Sequence, residues 1–208
     1  MVIIHNFAVF EGGDGTGTST QLDLLRQRFS RPGLPPFHPT FEPTDGPIGK
    51  TIRSALTGEL SLQSETTARL FAADRNEHLY GKCGITCRCG RGELVVSDRY
   101  VLSSLVYQGL DCGEELPKAL NAAFPGPELL LFFDLDPEIA QKRLAGRAVR
   151  DVYEYLDFQI RVRERYKALL PVYAQGGVRV ESIDASKPQE EVAEQVWSAL
   201  KKMPIFER

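Results

Sequence analysis

A glycine-rich segment near the start of the chain has the spacing of a phosphate-binding loop. The residues EGGDGTGTS (11–19) follow the strand-like run FAVF (7–10), and Gly12, Gly17 and Ser19 fit the pattern G-x-x-x-x-G-K-[ST]. In such a loop, consecutive backbone N–H groups point at phosphate, and the start of the next helix adds partial positive charge. The spacing therefore favours nucleotide binding, with the Ser19 hydroxyl placed on Mg²⁺.

One position departs from that pattern, because Thr18 stands where a lysine is expected. A charge-assisted hydrogen bond contributes about 1.5–3 kcal/mol. Its uncompensated loss would slow phosphoryl transfer by roughly ten- to several hundredfold. Three interpretations stay open: an enzyme whose positive charge comes from elsewhere, a silent nucleotide-binding homologue, and a glycine-rich turn in an unrelated α/β protein.

The elements that must position this loop follow from the hydrophobic pattern. Short apolar runs alternate with longer helical patterns, which predicts an α/β fold with parallel strands joined by helical crossovers. The predicted strands are residues 7–10, 37–41, 93–98, 129–136 and 178–183. Helices are predicted to begin near Ser19, Pro47, Ser64, Ser103, Pro137, Asp151 and Pro188.

Composition narrows the classes of protein that remain. The 208 residues suit a single domain spanning 1–208, and the net charge of −3 argues against a general nucleic-acid partner. This net charge is compatible with a small anionic ligand that is held by a few local arginines. No apolar run approaches the roughly 18 residues of a membrane span, and no targeting signal is apparent. We therefore expect a cytoplasmic protein without a membrane partner.

Six segments of the chain resemble the thymidylate kinase family, and they occur in the expected order. They are FEGGDGTGTSTQ (10–21), EPTDGPIGKTIR (42–53), LFAADRNEHL (70–79), SDRYVLSSLVYQG (97–109), LLLFFDLDPEIAQKRLAGR (129–147) and DFQIRVRERY (157–166). The resemblance covers nearly the whole chain. It implies transfer of the ATP γ-phosphoryl group to dTMP with Mg²⁺. It also implies the P-loop nucleoside monophosphate kinase fold, with a five-stranded parallel sheet, a short lid at about 143–153, and a homodimer.

The resemblance assigns the glycine loop and one lid arginine to the ATP site. The cofactor-binding residues are then Glu11, Gly12, Gly13, Asp14, Gly15, Thr16, Gly17, Thr18, Ser19, Thr20 and Arg143. Ser19 and Asp98 are the expected Mg²⁺ ligands. Asp14, Asp98 and Arg99 are expected to be catalytic, since Asp14 would hold the 3'-hydroxyl of the acceptor and Arg99 its phosphate.

The acceptor site is assigned to residues after the second and third strands. Phe71 would stack on thymine and Arg75, four residues later on the same helix face, would bond the base. The full set expected to bind dTMP is Glu42, Pro43, Arg53, Phe71, Arg75, Arg99, Ser104, Tyr107 and Gln108. The sequence does not decide whether the site also accepts dUMP or another deoxynucleotide. Phe41 stands where many bacterial relatives have an arginine, and Arg53 is the expected source of the missing charge.

Three arginines fall in the implied lid. If the helix continues through Gly146, the spacings of four and three residues place Arg143, Arg147 and Arg150 on one face. An arginine in this region can stabilise the charge that spreads over a transferring phosphoryl group. We therefore expect Arg147 or Arg150, both catalytic in this assignment, to substitute for the lysine absent at Thr18.

The cysteines suggest one further alternative. Cys83, Cys87 and Cys89 form C-x3-C-x-C, and with Cys112 they could bind zinc tetrahedrally. The spacing matches no strong zinc signature, and free cysteines are often small buried apolar residues. A zinc-containing interaction protein on the same scaffold is therefore the second alternative to an active kinase.

Overall fold

The computed structural model describes residues 1–145, 153 and 155–207. Five strands form one parallel sheet in the order β2-β3-β1-β4-β5. The strands are β1 (Ile3–Gly12), β2 (Phe37–Phe41), β3 (Leu94–Asp98), β4 (Gly126–Asp134) and β5 (Arg179–Asp184). The predicted five-stranded parallel sheet is confirmed.

Helices cover both faces of this sheet. They are α1 (Thr18–Phe29), α2 (Pro47–Leu56), α3 (Ser64–Tyr80), α4 (Ile85–Gly90), α5 (Val101–Cys112), α6 (Glu115–Asn121), α7 (Pro137–Leu144), α8 (Leu156–Gln175) and α9 (Gln189–Leu200), followed by a 3-10 turn at Pro204–Phe206. Among the described residues, no helix combines the length and apolar character that crossing a membrane requires.

Side chains of β1 alternate between two cores. Ala8 and Phe10 pack with residues of α1 and α9, whereas Phe7 and Val9 pack with residues of α5 and α8. All four are fully buried. A strand with apolar residues on both faces must lie in the middle of a covered parallel sheet, which is where β1 is found.

Several strand ends differ from the predicted bounds, and two of these differences have a local reason. β1 starts at Ile3, since its pairing with β4 continues at Ile3 and Ile4 beyond a register shift before Ala8. Asn6, within this shift, has a left-handed φ of 62°. The Asn6 N–H donates to the Glu128 carboxylate on β4 at 2.8 Å. β4 ends at Asp134, since Asp136 instead caps α7.

Several helices also begin at other residues than predicted. α5 begins at Val101 rather than near Ser103, and α8 begins at Leu156. The predicted start near Asp151 lies outside the described residues. The short helices α4 and α6 were not predicted.

The carboxyl ends of three strands meet at one edge of the sheet. Phe10 of β1 pairs with Asp98 of β3, and Asp98 also pairs with Phe41 of β2. Open parallel sheets bind ligands at this edge, where loops diverge from the ends of the strands. The glycine loop and the residues after β2 and β3 are thereby brought together.

Candidate active site

The glycine loop connects β1 directly to α1. Gly17 caps α1 with a left-handed φ of 92°, and Gly15 has a φ of 79°. A Cβ atom on Gly15 would lie 2.9 Å from the Ala140 carbonyl oxygen of α7, so only glycine fits there. The loop lines a cavity of about 850 Å³, which we call the loop cavity. Its walls also include Asp98, Arg99, Arg143 and Lys187.

Ser19 and Asp98 lie in contact at the floor of the loop cavity. The Ser19 hydroxyl donates to Asp98 Oδ2 at 2.6 Å. Asp98 Oδ1 is buried and has no hydrogen-bond partner among the described residues. A hydroxyl beside a carboxylate with a free oxygen suits Mg²⁺, which prefers one or two protein oxygens plus water and phosphate. These two residues therefore fit the predicted metal site.

A second, smaller cavity opens on the other side of Asp14 and Arg99. It has a volume of about 300 Å³, and we call it the acceptor cavity. Eight predicted residues line it: Asp14, Glu42, Pro43, Arg53, Phe71, Arg99, Tyr107 and Gln108. Four further lining residues were not predicted, namely Leu56, Thr57, Ser103 and Tyr153.

Asp14 and Arg99 form an ion pair between the two cavities and line both. Arg99 Nη2 donates to Asp14 Oδ1 at 2.6 Å, and Arg99 Nη1 donates to the Gly12 carbonyl at 3.0 Å. Arg99 has a left-handed φ of 76°, uncommon for a residue with a side chain. A backbone held in this conformation indicates that the surrounding contacts determine the position of Arg99.

The second oxygen of Asp14 is held by two further side chains. Tyr107 donates its hydroxyl to Asp14 Oδ2 at 3.1 Å, and Gln159 Nε2 donates to the same oxygen at 2.7 Å. Gln159 Oε1 accepts the Asp14 N–H at 3.1 Å. Gln159 belongs to α8 and was missed in the sequence, where a lone glutamine carries no signal of a site.

Arg75 lies behind the wall of the acceptor cavity. It is 1% exposed, and its Nε and Nη2 donate to Glu42 Oε2 at 2.9 and 2.6 Å. It also donates to Asn121 Oδ1, and to Ser104 Oγ at 3.1 Å. The predicted substrate residues Arg75 and Ser104 are therefore engaged with protein groups, whereas Phe71 of the same helix reaches the cavity.

Arg53 bridges the acceptor cavity and a third cavity of about 460 Å³ beside α1. Its Nη2 donates to the carbonyls of Pro43 and Thr44 at 2.5 and 2.9 Å. Its guanidinium carbon lies 5.3 Å from the centre of the Phe41 ring. The positive charge of Arg53 thus lies over Phe41, the position at which the family resemblance predicted a missing arginine.

Glu11 was predicted to bind the cofactor, but its carboxylate is turned away from the loop cavity. It is fully buried and bonded to Ser103, Tyr166 and two backbone N–H groups near the start of α5. Burial raises the pKa of Glu11 to about 7. This residue contacts the helix that lines the acceptor cavity.

The segment predicted to form the lid, residues 143–153, is described only at 143–145 and at 153. The predicted catalytic residues Arg147 and Arg150 lie outside the described residues. α7, which carries Arg143, ends at Leu144. The condition that the helix continue through Gly146, and with it the shared face of the three arginines, falls on residues outside the described part of the chain. Arg143 lines the loop cavity and donates to the Ala185 carbonyl at 3.0 Å.

The cysteines do not form a metal centre in the described part of the chain, which includes all four of them. No group of three or more His, Cys, Asp or Glu side chains there is placed to hold an ion. Burial raises the pKa of the Cys89 thiol to about 12, and its Sγ contacts the Asn6 carbonyl at 3.6 Å. The placement of these side chains counts against the zinc alternative.

The strand order and the loop between β1 and α1 define a P-loop protein with the nucleoside monophosphate kinase fold. The family profile described as thymidylate kinase matches residues 10–196. The chain belongs to the thymidylate kinase family.

Individual relatives are similar over nearly their full length. Proteins named as thymidylate kinases from Treponema pallidum and Pyrobaculum aerophilum are each 41% identical to this chain, covering 97% and 96% of it and 97% and 98% of their own lengths. The thymidylate kinase of Shouchella clausii is 35% identical over 95% of both chains. The solved thymidylate kinase of Candida albicans is 25% identical, covers 95% of this chain and 91% of its own, and superposes with a TM-score of 0.76.

Proposed function

We propose that the protein transfers the γ-phosphoryl group of ATP to dTMP, giving dTDP for dTTP biosynthesis. One observation carries this proposal: the loop cavity and the acceptor cavity meet at Asp14 and Arg99. Two phosphate chains entering from opposite sides would face each other at this point. Membership of the thymidylate kinase family supplies the substrates, with ATP in the loop cavity and dTMP in the acceptor cavity.

The acceptor cavity offers groups suited to a thymine nucleotide. The ring of Phe71 provides a stacking surface, and Gln108 lines the same wall. Gln108 Oε1 is buried and has no hydrogen-bond partner among the described residues. This free acceptor suits the N3–H of thymine, which cytosine lacks. We propose that Arg75 supports this wall by holding Glu42.

Phosphoryl transfer needs positive charge where the two phosphate groups meet. Arg99 supplies a guanidinium there, and Asp14 fixes it through Oδ1, which keeps one acceptor position for the sugar hydroxyl of dTMP. Ser19 and Asp98 would hold Mg²⁺, which neutralises charge on the phosphate oxygens when bound. Positioning and electrostatic stabilisation of this kind supply most of the rate in phosphoryl transfer.

We also propose that the loop works without its usual lysine because another cation faces the γ-phosphate. Thr18 is only 8% exposed and lines the loop cavity, so no positive charge enters from this position. In the described part of the chain, three cationic side chains line the cavity, namely Arg99, Arg143 and Lys187. Arg147 or Arg150 of the lid, proposed from the sequence, would add a fourth.

Family membership suggests two further properties, which we also propose. The protein would act as a homodimer on small-molecule substrates in the cytoplasm, without nucleic-acid or membrane partners. The net charge of −3 agrees with a protein that binds small anions through local arginines rather than through a basic surface.

A coupled assay with ATP, Mg²⁺ and either dTMP, dUMP or dCMP tests the proposed function. We expect kcat/KM for dTMP to exceed that for dUMP by roughly 10–200-fold, the usual discrimination for one methyl group, and dCMP to be poorer still. Equal turnover of dTMP and dCMP would contradict the assigned role of Gln108. Binding of ATP without turnover of any acceptor would instead favour a silent homologue.

A further inference from the structure

Glu11 accepts hydrogen bonds from four donors at the start of α5 and on α8. Its Oε1 accepts the backbone N–H groups of Tyr100 at 3.0 Å and Ser103 at 3.3 Å. Its Oε2 accepts the Ser103 hydroxyl at 2.6 Å and the Tyr166 hydroxyl at 2.9 Å. An ionised carboxylate has about four acceptor positions and no proton, so this set of donors matches the charged form of Glu11.

Ser103 connects this carboxylate to Arg99. Arg99 Nη1 donates to Ser103 Oγ at 3.3 Å, and the Ser103 hydroxyl donates onward to Glu11. A hydroxyl has one proton, and giving it to Glu11 leaves Ser103 Oγ as an acceptor for the Arg99 N–H, with the Tyr166 hydroxyl 2.8 Å away. Arg99 is therefore held from one side by Asp14 and from the other by Glu11 through Ser103.

We propose that Glu11 is a positioning residue for phosphoryl transfer, which acts through Ser103 to hold Arg99 between the two cavities. This inference rests on the proposed function, because Arg99 needs its position only if two phosphate groups meet there. Glu11 would not touch either substrate. Its effect should appear in turnover of dTMP rather than in ATP binding, although Glu11 directly precedes the glycine loop.

The groups around Glu11 make its charge sensitive to pH near neutrality. The titratable groups that face it are Arg99 before α5, and Tyr166 and Tyr173 from α8. Burial raises the pKa of both tyrosines, so they stay protonated at neutral pH. Burial raises the pKa of Glu11 to about 7 against the lowering effects of Ser103 and Arg99. Below that pH, the Glu11 carboxyl would carry a proton of its own where four donors already point at it. The Ser103 hydroxyl would then lose its acceptor, and its hold on Arg99 would be released.

The test compares initial rates of wild type, Glu11→Gln and Glu128→Gln between pH 6 and 9. Glu128 is a matched control, since it lies on the neighbouring strand β4, accepts a backbone N–H, and lines neither the loop cavity nor the acceptor cavity. We expect wild type and Glu128→Gln to gain kcat as pH rises through about 7. Glu11→Gln should lose at least about tenfold in kcat at pH 8, lack this rise, and keep its KM for ATP. The change in rate near pH 6 that comes from ionisation of the substrate phosphate should persist in all three proteins.

A second pair of variants keeps the test decisive if Glu11→Gln fails to fold. Ser103→Ala removes the link to Arg99 while retaining Glu11, and Ser103→Thr restores a hydroxyl. We expect the alanine variant to lose kcat and the threonine variant to recover it. If either Glu11→Gln or Ser103→Ala keeps the kcat and the pH profile of the wild type, the inference about Glu11 is overturned, whereas the proposed function is not affected. A wild type that does not turn over dTMP would overturn the proposed function and this inference with it.

Discussion

Thr18 occupies the first turn of α1, where a lysine side chain would reach bound phosphate. On the proposal that another cation lies beside the γ-phosphate, we predict that Thr18→Lys does not increase turnover by more than about threefold. If no cation replaces the lysine, the same variant should gain roughly ten- to several hundredfold. Steady-state kcat with ATP and dTMP is the measurement. Thr66→Lys, at an exposed position of α3, controls for the added charge.

Arg75 and Arg69 both lie on α3 and pair with carboxylates, but only the Arg75 pair is buried. Removing one partner of a buried pair costs about 3–5 kcal/mol, because the other charge stays desolvated. We therefore predict that Arg75→Met lowers the free energy of unfolding by that amount. Arg69→Met should change it by at most about 0.5 kcal/mol. Urea denaturation measures both, and similar losses would show that the Glu42 pair is not the determining feature.

The sequence revealed those site residues that belong to a local motif. Asp14 lies within the glycine loop, and Arg99 directly follows a strand, so spacing and position indicated both. Gln159 contacts Asp14 across 145 residues of chain, and Asn121 contacts Arg75 across 46. No local pattern marks such amides. Their importance depends on the packing of α6 and α8.

At the scale of elements, the glycine loop depends on its close approach to α7. Gly15 and Gly33 both have a left-handed φ, but only Gly15 has neighbours within 4 Å of an added Cβ. Both alanine variants should lose about 1–2 kcal/mol from backbone strain. We predict that Gly15→Ala loses more than Gly33→Ala and also weakens MgATP binding. Denaturation and calorimetry test this, and equal effects would mean that the contact with Ala140 is unimportant.

Element types were more predictable than element ends. The run at 129–136 is apolar enough to require a strand covered on both faces, and β4 forms there. Its end depends on the Asp136 cap, which competes with strand pairing and was not weighed from the sequence. α4 and α6 have six and seven residues, too few for a helical period to emerge. Tertiary contacts decide such short segments.

At the scale of the whole molecule, the sheet brings three distant segments to one edge. The loop after β1, the residues after β2 and the Asp98–Arg99 pair at the end of β3 form two cavities that share a wall. This arrangement follows from the strand order, in which β3 lies between β2 and β1. The sequence predicted the sheet and its ligand-binding edge, whereas the shared wall required the folded chain.

The most direct test of this account follows ATP and dTMP together by ³¹P NMR after adding the protein and Mg²⁺. If Asp14 and Arg99 align the two phosphate groups for direct transfer, ADP and dTDP should appear in equal amounts, with no inorganic phosphate in step with them. Release of inorganic phosphate without dTDP, or an unchanged spectrum, would contradict the account.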